Sequence, residues 1–381
     1  MTPPLSHVRV LDLTRLYPGA FCTQLLADLG ADVLKVESPR FGDGMRMAYG
    51  TDVAPAHVAL NRGKRSLTLD LKKPKAAEVL RRLVADVDVV VESQRPGALD
   101  QLGIGYDALR AQNPRLVWCS LTGFGQDGPL ANAPGHDITY LGYSGLLSRL
   151  AGGGRPPMPD TTIAVPLAGA LGAVGILAAL AARERTGEGS RVDTSMADAA
   201  LWLVSEDVTR SAIAPGPNWG AMAARQNYRC ADGRWVTVAA TESKPWGLLC
   251  AALGLPDLAD HTHGTDEEAT IERLAAAFAS RPATHWTQAP GLAGGVGPVN
   301  EPGDLLDDPH QAARAGIVDL PGAADGMRVV ANPVRVGGAD GRGSSAGLRW
   351  PPDLGTDTDA ALTAAGFTPD EIAALHTDGV V

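Results

Sequence analysis

The chain of 381 residues carries 43 Asp and Glu against 33 Lys and Arg, a formal net charge of −10. That balance argues against broad nucleic-acid binding, which needs clustered Lys and Arg to displace counterions; it leaves room for a local basic pocket that takes an anionic ligand. An apolar fraction of 45% with only 5% aromatic residues predicts a core of small aliphatic groups, in one large domain or two ordinary ones.

One charge-free apolar run has the roughly 18–20 residues of a membrane span. The longest candidate, 163–182, is rich in Ala and Gly and ends in Arg183-Glu184-Arg185, so it reads as a buried helix and no membrane partner is expected. The N-terminal Met-Thr-Pro-Pro lacks a basic segment followed by an apolar one, so no signal peptide is expected. Cys22, Cys119, Cys230 and Cys250 never approach a CxxC spacing, which predicts a reduced, cytoplasmic protein with no zinc site and no disulfide framework.

In chain order, residues 8–14 read as a buried strand and 19–29 as a helix that Gly30 stops. Strands follow at 31–37, 66–71, 87–92 and 116–121, with a helix at 76–85. Alternation of this kind predicts an α/β fold, a parallel sheet with helices on both faces. After a Gly- and Pro-rich loop at 152–159 come a long helix at about 165–186, a short strand at 191–195 and a helix at 196–212. A β-hairpin turning at Asp232-Gly233 and helices at 246–253 and 271–280 predict a smaller α+β domain. Thr368-Pro-Asp-Glu starts a last helix, with Thr as cap and Pro in the first turn. The expected division is a large domain over 1–200 completed by 330–381, a linker helix and loop over 201–224, and a small domain over 225–329.

The phosphate-binding loop GxxxxGK[ST] is absent. What remains is a set of polar loops next to strand ends, where open α/β sheets place their sites. Arg40, Arg62, Lys64, Arg65 and Arg95 fall in these loops. Such a set on an acidic protein suits a phosphate-rich ligand, the alternative being a solvated loop surface. His136, in Pro134-Gly-His-Asp-Ile-Thr-Tyr140, is placed as a general base at neutral pH, with the Asp137 backbone N–H as an oxyanion donor. His261 and His263 alternate in a loop without a third ligand, so no metal is expected.

The motifs Val10-Leu-Asp-Leu-Thr, Leu29-Gly-Ala-Asp-Val-Leu-Lys-Val-Glu-Ser-Pro, Asn61-Arg-Gly-Lys-Arg-Ser, Arg95-Pro-Gly, Leu121-Thr-Gly-Phe-Gly-Gln-Asp-Gly-Pro, Gly175-Ile-Leu-Ala-Ala-Leu and Tyr228-Arg-Cys-Ala-Asp-Gly-Arg-Trp-Val occur in this order. With them the chain resembles the class III CoA-transferase family of CaiB/BaiF type, closest to its α-methylacyl-CoA racemase branch. The resemblance implies a Rossmann-like large domain plus a small domain, in an interlocked homodimer. It also implies a CoA thioester bound between the large domain of one chain and the small domain of the other. CoA then enters as part of the substrate and no other cofactor is required. Arg40, Arg62, Lys64, Arg95, Gly123 and Gln126 become the candidate CoA-binding residues.

Gly135-His136-Asp137-Ile138-Thr139-Tyr140 matches the racemase segment, and Glu242 matches the Glu that supports this His. Racemisation uses two bases on opposite faces of the α-carbon, with an enolate between them. Counting back from Gly175-Ile-Leu-Ala-Ala-Leu, the family's catalytic Asp falls on Val165, and Asp160 is the nearest carboxylate that could substitute. Near the C-terminus, Gly355-Thr-Asp-Thr-Asp stands where the family has a His. The expected function is a racemase-like isomerase that removes the α-proton of an acyl-CoA with His136. The alternatives are a CoA-transferase with a displaced nucleophile, or a member with different or no chemistry.

Overall fold

The computed structural model describes residues 2–48, 52–152, 154–214, 221–260, 266–323, 326–336 and 348–381. His261 and His263 lie outside the described residues. The chain divides into two compact units, one of 1–147, 157–208 and 312–381, the other of 148–156 and 209–311.

The first unit is built on six parallel strands: β1 (Arg9–Asp12), β2 (Asp32–Glu37), β3 (Arg65–Thr68), β4 (Val89–Glu92), β5 (Val117–Thr122) and β6 (Arg191–Ser195), ordered β3-β2-β1-β4-β5-β6. A parallel sheet must be covered on both faces, and side chains along its strands divide with a period of two. Leu11, Leu34, Leu67, Val90 and Trp118 face the helices Ala76–Val84, Thr358–Ala364 and Pro369–Thr377. Val10, Val33, Val89, Val91, Val117 and Cys119 face the helices Tyr17–Asp28 and Ala164–Thr186.

The helix Ala164–Thr186 is long and apolar enough to cross a membrane by length and composition. Here it lies close on the helix Tyr17–Asp28 and on the sheet through three glycines one turn apart. A Cβ on Gly169 would come within 2.8 Å of Phe21, one on Gly172 within 2.8 Å of Leu121, and one on Gly175 within 2.5 Å of Val192.

Two elements differ from expectation. β1 stops at Asp12 because its carboxylate accepts the Thr14 N–H (3.0 Å) and hydroxyl (2.5 Å), and this local bonding competes with the sheet ladder. The single helix expected at 196–212 is two, Met196–Leu203 and Ser205–Ile213, broken at Val204, whose backbone (φ −107°, ψ 20°) is not helical.

The second unit holds an antiparallel sheet of β7 (Arg225–Arg229), β8 (Trp235–Ala239) and β9 (Val296–Pro298), packed with the helices Ser243–Leu253 and Glu267–Phe278. The hairpin turns at Gly233, whose φ of +78° suits glycine. Tyr228 stacks on Phe278 at 4.9 Å in the core of this unit. A further pair, β10 (Ile317–Asp319) and β11 (Arg328–Val330), belongs to the first unit.

A buried polar network underlies the strand ends of the first unit. Asp12 contacts Lys64 (3.3 Å), Asp43 contacts Lys35 (2.9 Å), and Glu37 binds Arg46 (2.7 Å) and the Ser66 hydroxyl (2.7 Å). Burial alone would raise the Glu37 pKa; hydrogen bonds from Arg46 and Ser66 and the charges of Arg46 and Lys35 outweigh it and hold it at about 2. A carboxyl depressed in this way stabilises the fold above its unfolded-state pKa, and that contribution is lost as pH falls through the folded value. Glu37→Gln is expected to cost about 3 kcal/mol at neutral pH. Urea titration should show the gap between variant and parent closing between about pH 4.5 and 2.

Candidate active site

In a sheet of this order the chain leaves β1 and β4 in opposite directions, and the crevice beyond their C-terminal ends is where such folds bind ligands. Arg15 follows β1 and Arg95 follows β4. Both line a cavity of about 670 Å³ that also meets Gly123, His136, Asp137, Tyr140, Asp160 and Val165.

His136 is exposed in extended backbone immediately before the helix Asp137–Tyr143 (φ −126°, ψ 172°). Its carbonyl accepts the Thr139 N–H at 2.8 Å, and its own N–H reaches the Thr139 hydroxyl at 3.4 Å. Asp137 aims its carboxylate at another helix. It accepts the N–H of Ile163 (3.0 Å) and of Val165 (2.9 Å), the orphan donors at the start of the helix Ala164–Thr186. Ile163 stands at that helix's N-cap position and supplies no cap of its own. The Asp137 side chain therefore has a structural partner, and only its backbone N–H is left for an oxyanion.

Val165 is buried in the cavity wall and Asp160 is exposed on the loop before it. The wall at Val165 is apolar, with one carboxylate five residues upstream. Glu242 belongs to the second unit, where it precedes the helix Ser243–Leu253.

The six candidate CoA-binding residues are distributed unevenly. Arg62 is buried and bonded to Asp28 (2.7 Å) and to the carbonyls of Ala59 and Val330. Lys64 is buried among Asp12, the Thr23 hydroxyl (2.7 Å) and Asn61 (2.8 Å), and burial pushes its ammonium down to about 8 against the pull of Asp12. Both therefore turn their charged groups to the protein interior, although the Arg62 Nε–H finds no partner among the described residues. Arg65, the fifth cation of the set, pairs with Asp32 at 2.6 Å.

Arg40 and Arg95 are exposed. Arg40 lies over the Phe41 ring (5.4 Å) in a second cavity of about 450 Å³, which Lys72 also lines and which meets the His136 cavity at Arg15 and Gln94. Gly123 lines the His136 cavity, whereas Gln126 lines a smaller slot of about 200 Å³ with Glu92 and Asp193, reached past Arg95. Burial pushes both the Glu92 and the Asp193 carboxyls up.

Two residues at the mouth were not singled out by sequence. Arg15 is exposed there with no ion-pair partner among the described residues. Leu16 sits at φ +61°, ψ −152°, a strained conformation for a side chain-bearing residue. Its N–H is held by Asp43 (3.2 Å), itself paired with Lys35, while its side chain lines the cavity. Leucine carries no sequence signal for such strain.

Residues 5–358 match the model of CoA-transferase family III. The chain belongs to that family. Among its relatives is the α-methylacyl-CoA racemase of Homo sapiens, 32% identical over 99% of this chain and 97% of that protein. Another is the succinyl-CoA:mesaconate CoA-transferase of Haloarcula marismortui, 35% identical over 87% of this chain and 90% of that protein. The crystal structure of a CaiB/BaiF family protein from Brucella suis is 29% identical, covers 96% of this chain and all of its own, and superposes with a TM-score of 0.81. Family III thus includes racemases and CoA-transferases, and both kinds resemble this chain to a similar degree.

Because Asp137 supplies the missing cap of the long helix, Asp137→Ala is expected to lower stability by about 1–2 kcal/mol. Hydrogen exchange should quicken at the Ile163 and Val165 amides first; unchanged protection at both would remove the capping role.

Proposed function

We propose that this family III member is a racemase-like isomerase that takes the α-proton from an acyl-CoA thioester with His136 as base. The observation that carries the reading is the placement of His136, exposed on a cavity that is cationic at Arg15 and Arg95 and apolar at Leu121, Leu141 and Val165. In this proposal Arg15, Arg40, Lys72 and Arg95 receive the phosphates of CoA, and the cofactor enters only as part of the substrate. The acyl group reaches the apolar wall. Removal of the α-proton places negative charge on the thioester oxygen, where backbone N–H donors stabilise an enolate. His136 then returns a proton to the same face, or Asp160 delivers one from the other and inverts the centre. Glu242 keeps the role of supporting carboxylate that the resemblance gives it.

A second reading, transfer of CoA between acids, is favoured by one observation: Asp160 is an exposed carboxylate on the same cavity. In that reading Asp160 forms the acyl anhydride, which hydroxylamine would trap.

The working form proposed is a homodimer. Val174, Leu177, Leu201, Trp202, Leu203 and Val208 are large apolar side chains left exposed on this chain, and exposed apolar groups of this size mark interaction surfaces when they gather. Sedimentation should give twice the chain mass, and Trp202→Glu should shift it toward the single chain.

The activity is tested with isobutyryl-CoA in deuterium oxide. Deuterium is expected at the α-carbon, with exchange slowed by about 10²–10⁴-fold in His136→Ala. Exchange that survives this substitution, or hydroxylamine trapping at Asp160 without exchange, overturns the isomerase reading.

A further inference from the structure

Tyr140 combines three properties that an ordinary core tyrosine does not. It is only 4% exposed, yet it lines the His136 cavity. Its hydroxyl has no hydrogen-bond partner among the described residues. Its ring is fixed on both sides. A Cβ on Gly123 would meet the Tyr140 oxygen at 2.7 Å, and one on Gly135 would meet the ring at 2.8 Å, so the loop after β5 and the loop before the helix Asp137–Tyr143 both close on it. Phe124 packs edge-on at 5.2 Å.

The ring is buried, but the hydroxyl oxygen is not among the fully buried polar atoms that lack a partner, so it is open to water or a ligand. Among the described residues none bonds it, and the cavity that Tyr140 lines is open to it. Tyr140 lies in the first turn of the helix that His136 immediately precedes, and both residues line the cavity. Burial, aided by the neighbouring Asp137, raises the phenol pKa, so the group is a donor at neutral pH. The wall at Val165 brings no carboxylate that would repel charge on a substrate oxygen.

We propose that the Tyr140 hydroxyl donates a hydrogen bond to the thioester carbonyl oxygen of the bound acyl-CoA. This rests on the acyl-CoA site proposed above and assigns it an electrophilic catalyst. As His136 takes the α-proton, the C–H electron pair moves into the Cα–C bond and the carbonyl π pair moves onto oxygen. The Tyr140 proton stays on its own oxygen and strengthens its bond to the developing oxyanion.

The test uses isobutyryl-CoA labelled with ¹³C at the carbonyl, bound to the full-length parent chain and to Tyr140→Phe. The bound carbonyl stretch should lie at lower wavenumber in the parent than in the variant. The α-exchange kcat should fall by about 10²–10³-fold in Tyr140→Phe with KM nearly unchanged, and thermal stability should hold or rise. Equal carbonyl stretches in the two proteins would overturn the assignment. So would a lowered melting temperature with unchanged kcat, the mark of a merely structural tyrosine. A polarised carbonyl in a parent chain that exchanges no α-proton would leave Tyr140 as the donor and remove the isomerase reading instead. If Tyr140→Phe does not fold, replacing Tyr140 by a fluorotyrosine, a stronger donor of nearly the same shape, should lower the stretch further; no change there would also overturn the proposal.

Discussion

The site depends on where one carboxylate spends its lone pairs. Asp137 accepts the free N–H groups of Ile163 and Val165 and so closes the start of the helix Ala164–Thr186, which has no side-chain cap of its own. That helix is already fixed on β5, β6 and the helix Tyr17–Asp28 by Gly169, Gly172 and Gly175. His136 precedes Asp137 directly, so the proposed base, the Val165 wall and the Asp160 loop are held by the same joint. A cap worth a kcal/mol or two thereby sets the geometry of the proposed reaction centre.

Cations in this fold have two different jobs that look alike in sequence. Lys35, Arg62 and Lys64 are buried in ion pairs and tie strand ends and loops together. Arg15, Arg40 and Arg95 stay exposed on cavities at the same end of the sheet. The buried set reaches the cavity indirectly: Lys35 and Asp43 hold the strained Leu16 turn, and Leu16 presents its side chain at the mouth. Strain of about 1–3 kcal/mol is tolerable there because the clamp is fully buried and each partner is satisfied.

The sheet was legible from sequence because its central strands are buried on both faces. The Val89–Glu92 and Val117–Thr122 runs have no other reading once Gly and Pro bound them. The Thr368 cap was legible as well, since a capping box is local chemistry: the Thr368 hydroxyl accepts the Glu371 N–H at 3.3 Å, and the Glu371 carboxylate accepts the Thr368 N–H at 2.8 Å. The short helices Pro55–Asn61, Tyr106–Arg110 and Leu146–Leu150 were not, because each is too short to show a period. His136 could be singled out from the polar loop alone, but the cavity it lines could not. The burial of Arg62 and Lys64 could not, because only tertiary pairing with Asp28 and Asp12 distinguishes a buried cation from a solvated one. Arg15, Leu16 and Tyr140 escaped for the same reason: their exposure, strain and missing partner are properties of the folded chain.

The most direct measurement of the account is a crystal structure of the protein with isobutyryl-CoA bound. The account places the acyl α-carbon within about 3–3.5 Å of a His136 ring nitrogen, the thioester oxygen at about 2.7–2.8 Å from the Tyr140 hydroxyl, and the CoA phosphates among Arg15, Arg40 and Arg95. A thioester seated with its α-carbon out of reach of His136, and its carbonyl against Asp160, would contradict it.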